Sequence, residues 1–249
     1  MAHSMRSHRT VSAPSGAGKG SPWGRVLSGR DRSQRSANHV LPGLCLIIFS
    51  GVWAGLAVAP RYRADWLLEN LLTFAALPAI VVGYYRRPLS HAAYVQITAF
   101  MILHTIGSHY TYSEVPLGDW LREGFGLARN HYDRLVHFAF GLLMLRPLRE
   151  LVIRQPERLG RVGTAWLSVA QILACSALYE LIEWAVASLA DPAAGIAYLG
   201  TQGDEWDAQK DVAYAAAGAL LAAVLQGWAA RRGAGGRRAA PGSPEQGAA

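Results

Sequence analysis

The sequence predicts an all-α membrane protein, a polytopic bundle of about six transmembrane helices with both termini in the cytoplasm. Three observations carry that expectation. The 249 residues are 51% hydrophobic and only 16% charged, whereas a soluble domain is about 25% charged. The apolar residues gather in runs close to the roughly 20 residues that cross a bilayer. Lys and Arg fall between those runs, biased toward alternate connections.

Taken in order, residues 1–40 are rich in Ser, Arg and Gly and poor in large apolar side chains. They read as a disordered basic tail. The run 41–59 is the first span. It ends Ala57-Val58-Ala59-Pro60, which mimics a signal-peptidase site, but Pro60 just after the cut argues for an uncleaved anchor. Spans two and three cover 66–85 and 92–110. The connection 111–131 holds Pro116, Gly118, Gly124 and Gly126 and predicts a short interfacial helix. The fourth element, 132–146, looks short for a span and carries Asp133, Arg134 and His137. Spans five and six cover 164–189 and 208–230, so the membrane domain is 41–230. Residues 231–249 form a second Gly/Arg/Ala/Pro tail. No internal repeat is evident. Cys45 and Cys175 lie inside apolar runs and read as small buried hydrophobes.

With the N-terminus inside, 18 of the 24 Lys and Arg residues fall on the inner side and 6 on the outer. The bias favours cytoplasmic termini. It also accounts for the net charge of +7. A nucleic-acid partner is not expected, because no aromatic-interleaved basic face is present. The partner the composition does imply is the lipid bilayer.

Ionisable residues inside the spans are the functional signal, since each costs about 2.5–3.5 kcal/mol on insertion scales. At 1.5 Å per residue, His104 and Glu183 lie about 9 Å below the outer surface, His137 about 7 Å, Glu180 about 13 Å and Asp211 about 5 Å. Glu69 is at a depth similar to Asp211. One outward-facing layer therefore collects His104, His137, Glu180, Glu183 and Asp211. Asp133 and His137 are spaced i,i+4, as are Asp207 and Asp211, so each pair shares a helix face. The segment from Tyr198 to Asp207 is polar and contains Gly200 and Gly203, which would let it fold over a ligand.

Three chemistries fit. His104, His137, Glu180, Glu183 and Asp211 could ligate a divalent metal such as Zn, Mn or Fe. Paired carboxylates with His137 could serve as general acid and base. Arg129, Arg134 and Lys210 could hold a lipid phosphate or another anionic small molecule, with the carboxylates relaying protons. Blander roles compete. Asp133 and Asp207 suit helix starts, Asp204 reads as a solvated loop residue, and His109 and His131 as interfacial side chains. His3, His8, His39 and His91 lie in the tail or at inner ends. Polar contacts between membrane helices average only about 0.6 kcal/mol, so this many ionisable groups exceeds what helix association needs. The expected function is an outward-facing polar cavity binding a small or lipid-linked ligand, with or without metal. A metal-dependent hydrolase or transferase acting on an envelope lipid is the alternative, and a structural protein without a ligand is the third.

Four segments carry a family resemblance: His104-Thr-Ile-Gly-Ser-His109-Tyr-Thr-Tyr112, Arg129-Asn-His131-Tyr-Asp133-Arg134-Leu-Val-His137-Phe138, Tyr179-Glu180-Leu-Ile-Glu183-Trp184 and Gly200-Thr-Gln-Gly203-Asp204-Glu-Trp-Asp207-Ala-Gln-Lys210-Asp211. Over residues 40–230 the chain resembles the YjdF-type bacterial inner-membrane proteins. That resemblance implies a polytopic inner-membrane protein and no established activity, substrate or cofactor. More distantly, the chain is similar to the VanZ-like membrane proteins. Their Asp-Lys-x-x-His-Phe motif falls on Asp133, Arg134, His137 and Phe138, with Arg in place of Lys. Their Asp-x-x-x-Asn-x-x-Gly falls on Asp211, Ala215 and Gly218, with Ala in place of Asn. The likeness implies an outward-facing polar site.

Overall fold

The computed structural model describes residues 29–153, 156–189, 195 and 198–238, with side chains over 39–153, 158–189, 195 and 198–232. The described residues from Val40 onward form one compact unit, and Gly29–His39 fall outside it. The expected N-terminal tail lies outside the described residues as far as residue 28, as does the C-terminal tail beyond Arg238. Among the described residues seven principal helices follow in order: α1 (Gly29–Leu56), α2 (Arg63–Arg86), α3 (His91–His109), α4 (Pro116–Phe125), α5 (Tyr132–Val152), α6 (Pro156–Leu189) and α7 (Asp207–Arg238). No strand occurs among the described residues.

Four helices are long and apolar enough to cross a membrane unaided: His39–Leu56, Arg63–Arg86, Arg158–Leu189 and Asp207–Arg232. Helices α3 and α5 fall short of that measure because they carry the polar groups. They are instead the packed centre. One cluster joins Phe49 of α1, Ile97, Phe100 and Met101 of α3, Val115, and Tyr132 and Val136 of α5. A second joins Leu145 of α5, Val169 and Ile172 of α6, and Ala215, Ala219 and Ala222 of α7. Helix α5 belongs to both. The outer helices turn large apolar side chains outward, among them Ile47, Phe74, Leu178 and Leu225. In lipid that arrangement is the stable one, because the polar groups find partners inside.

Helix α5 corrects the expectation of a short fourth element. It continues through Arg146, Pro147 and Arg149 to Val152, giving 21 residues, or about 31 Å at 1.5 Å per residue. The polar stretch that hid its end is held at the start of α3. There Glu150 accepts from the Ser90 backbone N–H at 2.8 Å and from its hydroxyl at 2.7 Å, while Ser90 caps α3 by accepting from Ala93 N–H. Helix α4 is the short helix expected in the 111–131 connection. Pro116 opens it, Gly126 closes it in the left-handed region at φ 63°, and Trp120 and Phe125 are exposed.

Helices α5 and α7 approach at backbone contact. A Cβ on Gly141 would overlap the Ala215 carbonyl, and one on Gly218 would overlap the Phe138 carbonyl. The small side chains of Ala215 and Ala219 continue the seam. Small residues at such crossings let membrane helices gain dispersion contact where no hydrophobic force separates helix from lipid. The crossing also fixes the distance between the polar groups one or two turns outward on each helix.

Candidate functional site

The polar residues at one end of the bundle sort into two groups. The first is a clamp between the 127–131 segment and the loop ahead of α7. Arg129 is 6% exposed and points both guanidinium nitrogens at Asp207, with Nη2 to Oδ2 at 3.2 Å. It also donates to the Thr201 carbonyl at 3.0 Å. Arg134 donates to Asp204 and, at 3.2 Å, to Asp207 Oδ1. Lys210 donates to both oxygens of Asp204, at 2.8 and 2.6 Å. Beside these pairs Gln202 and Asn130 bond reciprocally, amide to backbone, at 2.9 and 3.0 Å. Fully buried Asn130 then reaches the Val115 carbonyl and Asp119 on α4.

Hydrogen bonding from Lys210, followed by that from the Trp206 backbone and Arg134, lowers the Asp204 pKa to about 2. The carboxylate is therefore ionised throughout the physiological range. Asp204 is thus a hub of the clamp, where the sequence suggested a solvated loop residue. Burial, then the charges of Arg134 and Arg129, lowers the His131 pKa. A neutral ring suits its position, with Nδ1 3.2 Å from Arg134 Nη1.

The second group lies one turn deeper and has no basic side chain other than histidine. Asp133, His137 and Asp211 place one ligand-capable atom each within 4.8 Å of one another. His137 Nε2 is 3.6 Å from Asp133 Oδ1 and 3.4 Å from Glu180 Oε1. Asp211 is 2% exposed, and its Oδ1 has no hydrogen-bond partner; Glu180 Oε1 also lacks one. The i,i+4 geometry of α5 supplies Asp133 and His137 on one face, and the Gly141–Gly218 crossing brings α7 close enough for Asp211 to join them. Ser176 on α6 sits 3.5 Å from His137 Nδ1.

A cavity of about 290 Å³ opens beside this cluster. Asp133, His137, His104, Tyr112, Tyr179 and Glu183 line its polar part, and Phe100, Phe140, Leu178 and Ile182 its apolar part. Leu178 and Ile182 are also exposed on the lipid-facing surface. On the far side of Glu180, a second cavity of about 460 Å³ is lined by Trp184, Thr201, Asp204 and Gln209.

Among the residues expected at the site, Asp133, His137, Glu180 and Asp211 come together, and Glu183 lines the adjoining cavity with Asp133 and His137. His104 does not join the ligand cluster. It is buried against Tyr112, with Nδ1 2.5 Å from the phenol oxygen. Arg134, Asp207 and Lys210 belong to the clamp. Three further residues acquire a place the sequence did not assign: Tyr112, Tyr179, and Glu69, which is 4% exposed and accepts from the Tyr179 hydroxyl at 3.0 Å. The depth of Glu69 was the available signal.

A bundle with apolar outer helices around polar central ones, and acidic groups gathered at one end, defines a multi-pass α-helical membrane protein. The family model described as "Predicted membrane protein (DUF2238)" matches residues 41–232, and the chain belongs to that family. It is 36% identical over 180 residues to the inner membrane protein YjdF of Escherichia coli (strain K12), a match covering 72% of this chain and 83% of the relative. No solved structure matches. The chain is a multi-pass inner-membrane protein.

Proposed function

We propose that Asp133, His137 and Asp211, with Glu180 beside them, bind a divalent cation on the outer side of the membrane, and that the adjoining cavity receives a small or lipid-linked ligand. One observation carries the proposal. A 2%-exposed Asp211 presents an oxygen without a donor to a group of ligand-capable atoms, while the nearby cations are already committed to Asp204 and Asp207. Buried carboxylates need either a proton or a positive charge, and a bound cation would supply the charge to the ionised form. One imidazole with several carboxylate oxygens suits Mn, Fe or Zn.

The elemental content of detergent-purified protein tests this directly. The expected result is one divalent ion per chain, lost when Asp211→Asn is combined with His137→Gln. Adding Mn²⁺ or Zn²⁺ to chelator-stripped wild type should raise its melting temperature and leave that of the double variant unchanged. Folded wild-type protein that holds no metal and shows no such rise would rule the site out.

Hydrolysis or group transfer on an envelope lipid is the second reading, favoured by the cavity's shape. Its polar end faces Asp133 and His137 while Leu178 and Ile182 lead to the lipid surface, so a headgroup and an acyl chain would each meet matching walls. A bound metal would lower the pKa of its water and polarise an acyl or phosphoryl oxygen, with Glu180 or Glu183 placed to exchange the proton.

Both readings require the Asp204 loop to face outward. A single cysteine at exposed position 205 (Glu205→Cys, with Cys45 and Cys175 replaced) should react with a membrane-impermeant maleimide in intact spheroplasts. Labelling only after the membrane is broken would invert the topology.

A further inference from the structure

The opposite end of the bundle carries a second, differently charged cavity. Helices α5, α6 and α7 enclose about 600 Å³ there, with Arg149, Arg161 and Arg231 on its lining, one from each helix. None of these three forms an ion pair among the described residues. The contrast with the outer end is informative. There Arg129 and Arg134 are buried against Asp207 and Asp204; here three arginines line one cavity with no carboxylate paired to them among the described residues. Gln226 lines the same cavity, and its buried Oε1 has no hydrogen-bond partner.

The remaining walls are apolar. Leu145 and Val169, both in the buried core, lie deeper along α5 and α6. Trp166 lines the cavity and is 68% exposed toward the lipid side. Tryptophan favours the level of the headgroups. A soluble anion would match the arginines and leave the apolar wall without a use. A phospholipid uses both, with its phosphate among the guanidiniums and its acyl chains along Leu145, Val169 and Trp166.

We propose that this cavity binds an anionic phospholipid headgroup of the cytoplasmic leaflet. Guanidinium forks match phosphate geometry, and basic recesses between helix ends on this side of a membrane are suited to anionic headgroups. Gln226 adds a polar contact to a glycerol hydroxyl through its amide. The site is independent of the outer acidic cluster and does not require that cluster to bind metal.

Titration of the full chain in mild detergent with phosphatidylglycerol, followed by native mass spectrometry, tests the proposal. Wild type should retain at least one phosphatidylglycerol adduct more tightly than phosphatidylcholine. The triple variant Arg149→Gln, Arg161→Gln, Arg231→Gln should bind it at least tenfold more weakly while keeping its melting temperature. Millimolar inorganic phosphate should not displace the lipid. Equal retention of the two lipids, undiminished binding by the triple variant, or displacement by phosphate would each overturn it.

A readout on the unaltered site guards against a variant that misfolds. In vesicles, brominated phosphatidylglycerol should quench Trp166, isolated as the difference from Trp166→Phe, more than brominated phosphatidylcholine at the same mole fraction. Equal quenching would count against a selective site.

Discussion

Arg129→Ala is expected to destabilise the protein by about 3–5 kcal/mol, the range for breaking a buried ion pair from one side. For a chain of this size that corresponds to a melting temperature lower by roughly 6–20 °C. The guanidinium joins the 127–131 segment to Asp207 and to the carbonyl of Thr201. Its removal leaves Asp207, 4% exposed, with Arg134 as its remaining cationic partner. Arg129→Lys keeps the charge and loses the two-pronged contact, so it should recover part of the loss. Asp207→Asn should resemble Arg129→Ala because it removes that guanidinium's nearest carboxylate. Thermal unfolding of detergent-purified protein, followed by loss of the monodisperse elution peak, measures all three. If Arg129→Ala melts with wild type, the clamp is not a stabilising element.

Gly141→Val is expected to cost about 3 kcal/mol or more, at or above the top of the range for overpacking. The new side chain would meet the backbone carbonyl of Ala215, and neither helix can yield by a rotamer change. Gly218→Val should act alike through Phe138. The control is Gly51→Val on α1, where a Cβ meets nothing within 4 Å; its effect should stay within about 0.5 kcal/mol. Forcing α5 from α7 also separates Asp133 and His137 from Asp211. Any metal bound by these residues should therefore be lost from Gly141→Val protein at temperatures where it is still folded. Wild-type stability in both glycine variants would show that the helices do not meet at this seam.

Particular residues show how far the sequence could be read. Hydropathy and spacing identified every long apolar run, and the i,i+4 spacing of Asp133 and His137 put both on the face that meets α7. Asp211 followed from its depth. Depth, however, does not fix rotation about a helix axis. His104 lies at the right height and is turned toward Tyr112. The length of α5 was hidden because Arg146, Pro147 and Arg149 end an apolar run without ending the helix. Asp204 was misread for a different reason. Its partner Arg134 lies 70 positions away, and no local pattern announces a pairing over that separation.

The same clamp bears on how the protein is made. Arg129 and Arg134 precede their carboxylate partners by 78 and 70 residues. At about 5–20 residues per second, synthesis leaves Arg129 waiting roughly 4–16 s for Asp207. During that interval neither guanidinium has the carboxylate it pairs with in the finished fold. A nascent chain halted before Asp204 holds Asp133 and His137 but neither Asp211 nor the counter-charges of the clamp. Helix α7, made after α5, supplies the counter-charge for the start of that central helix.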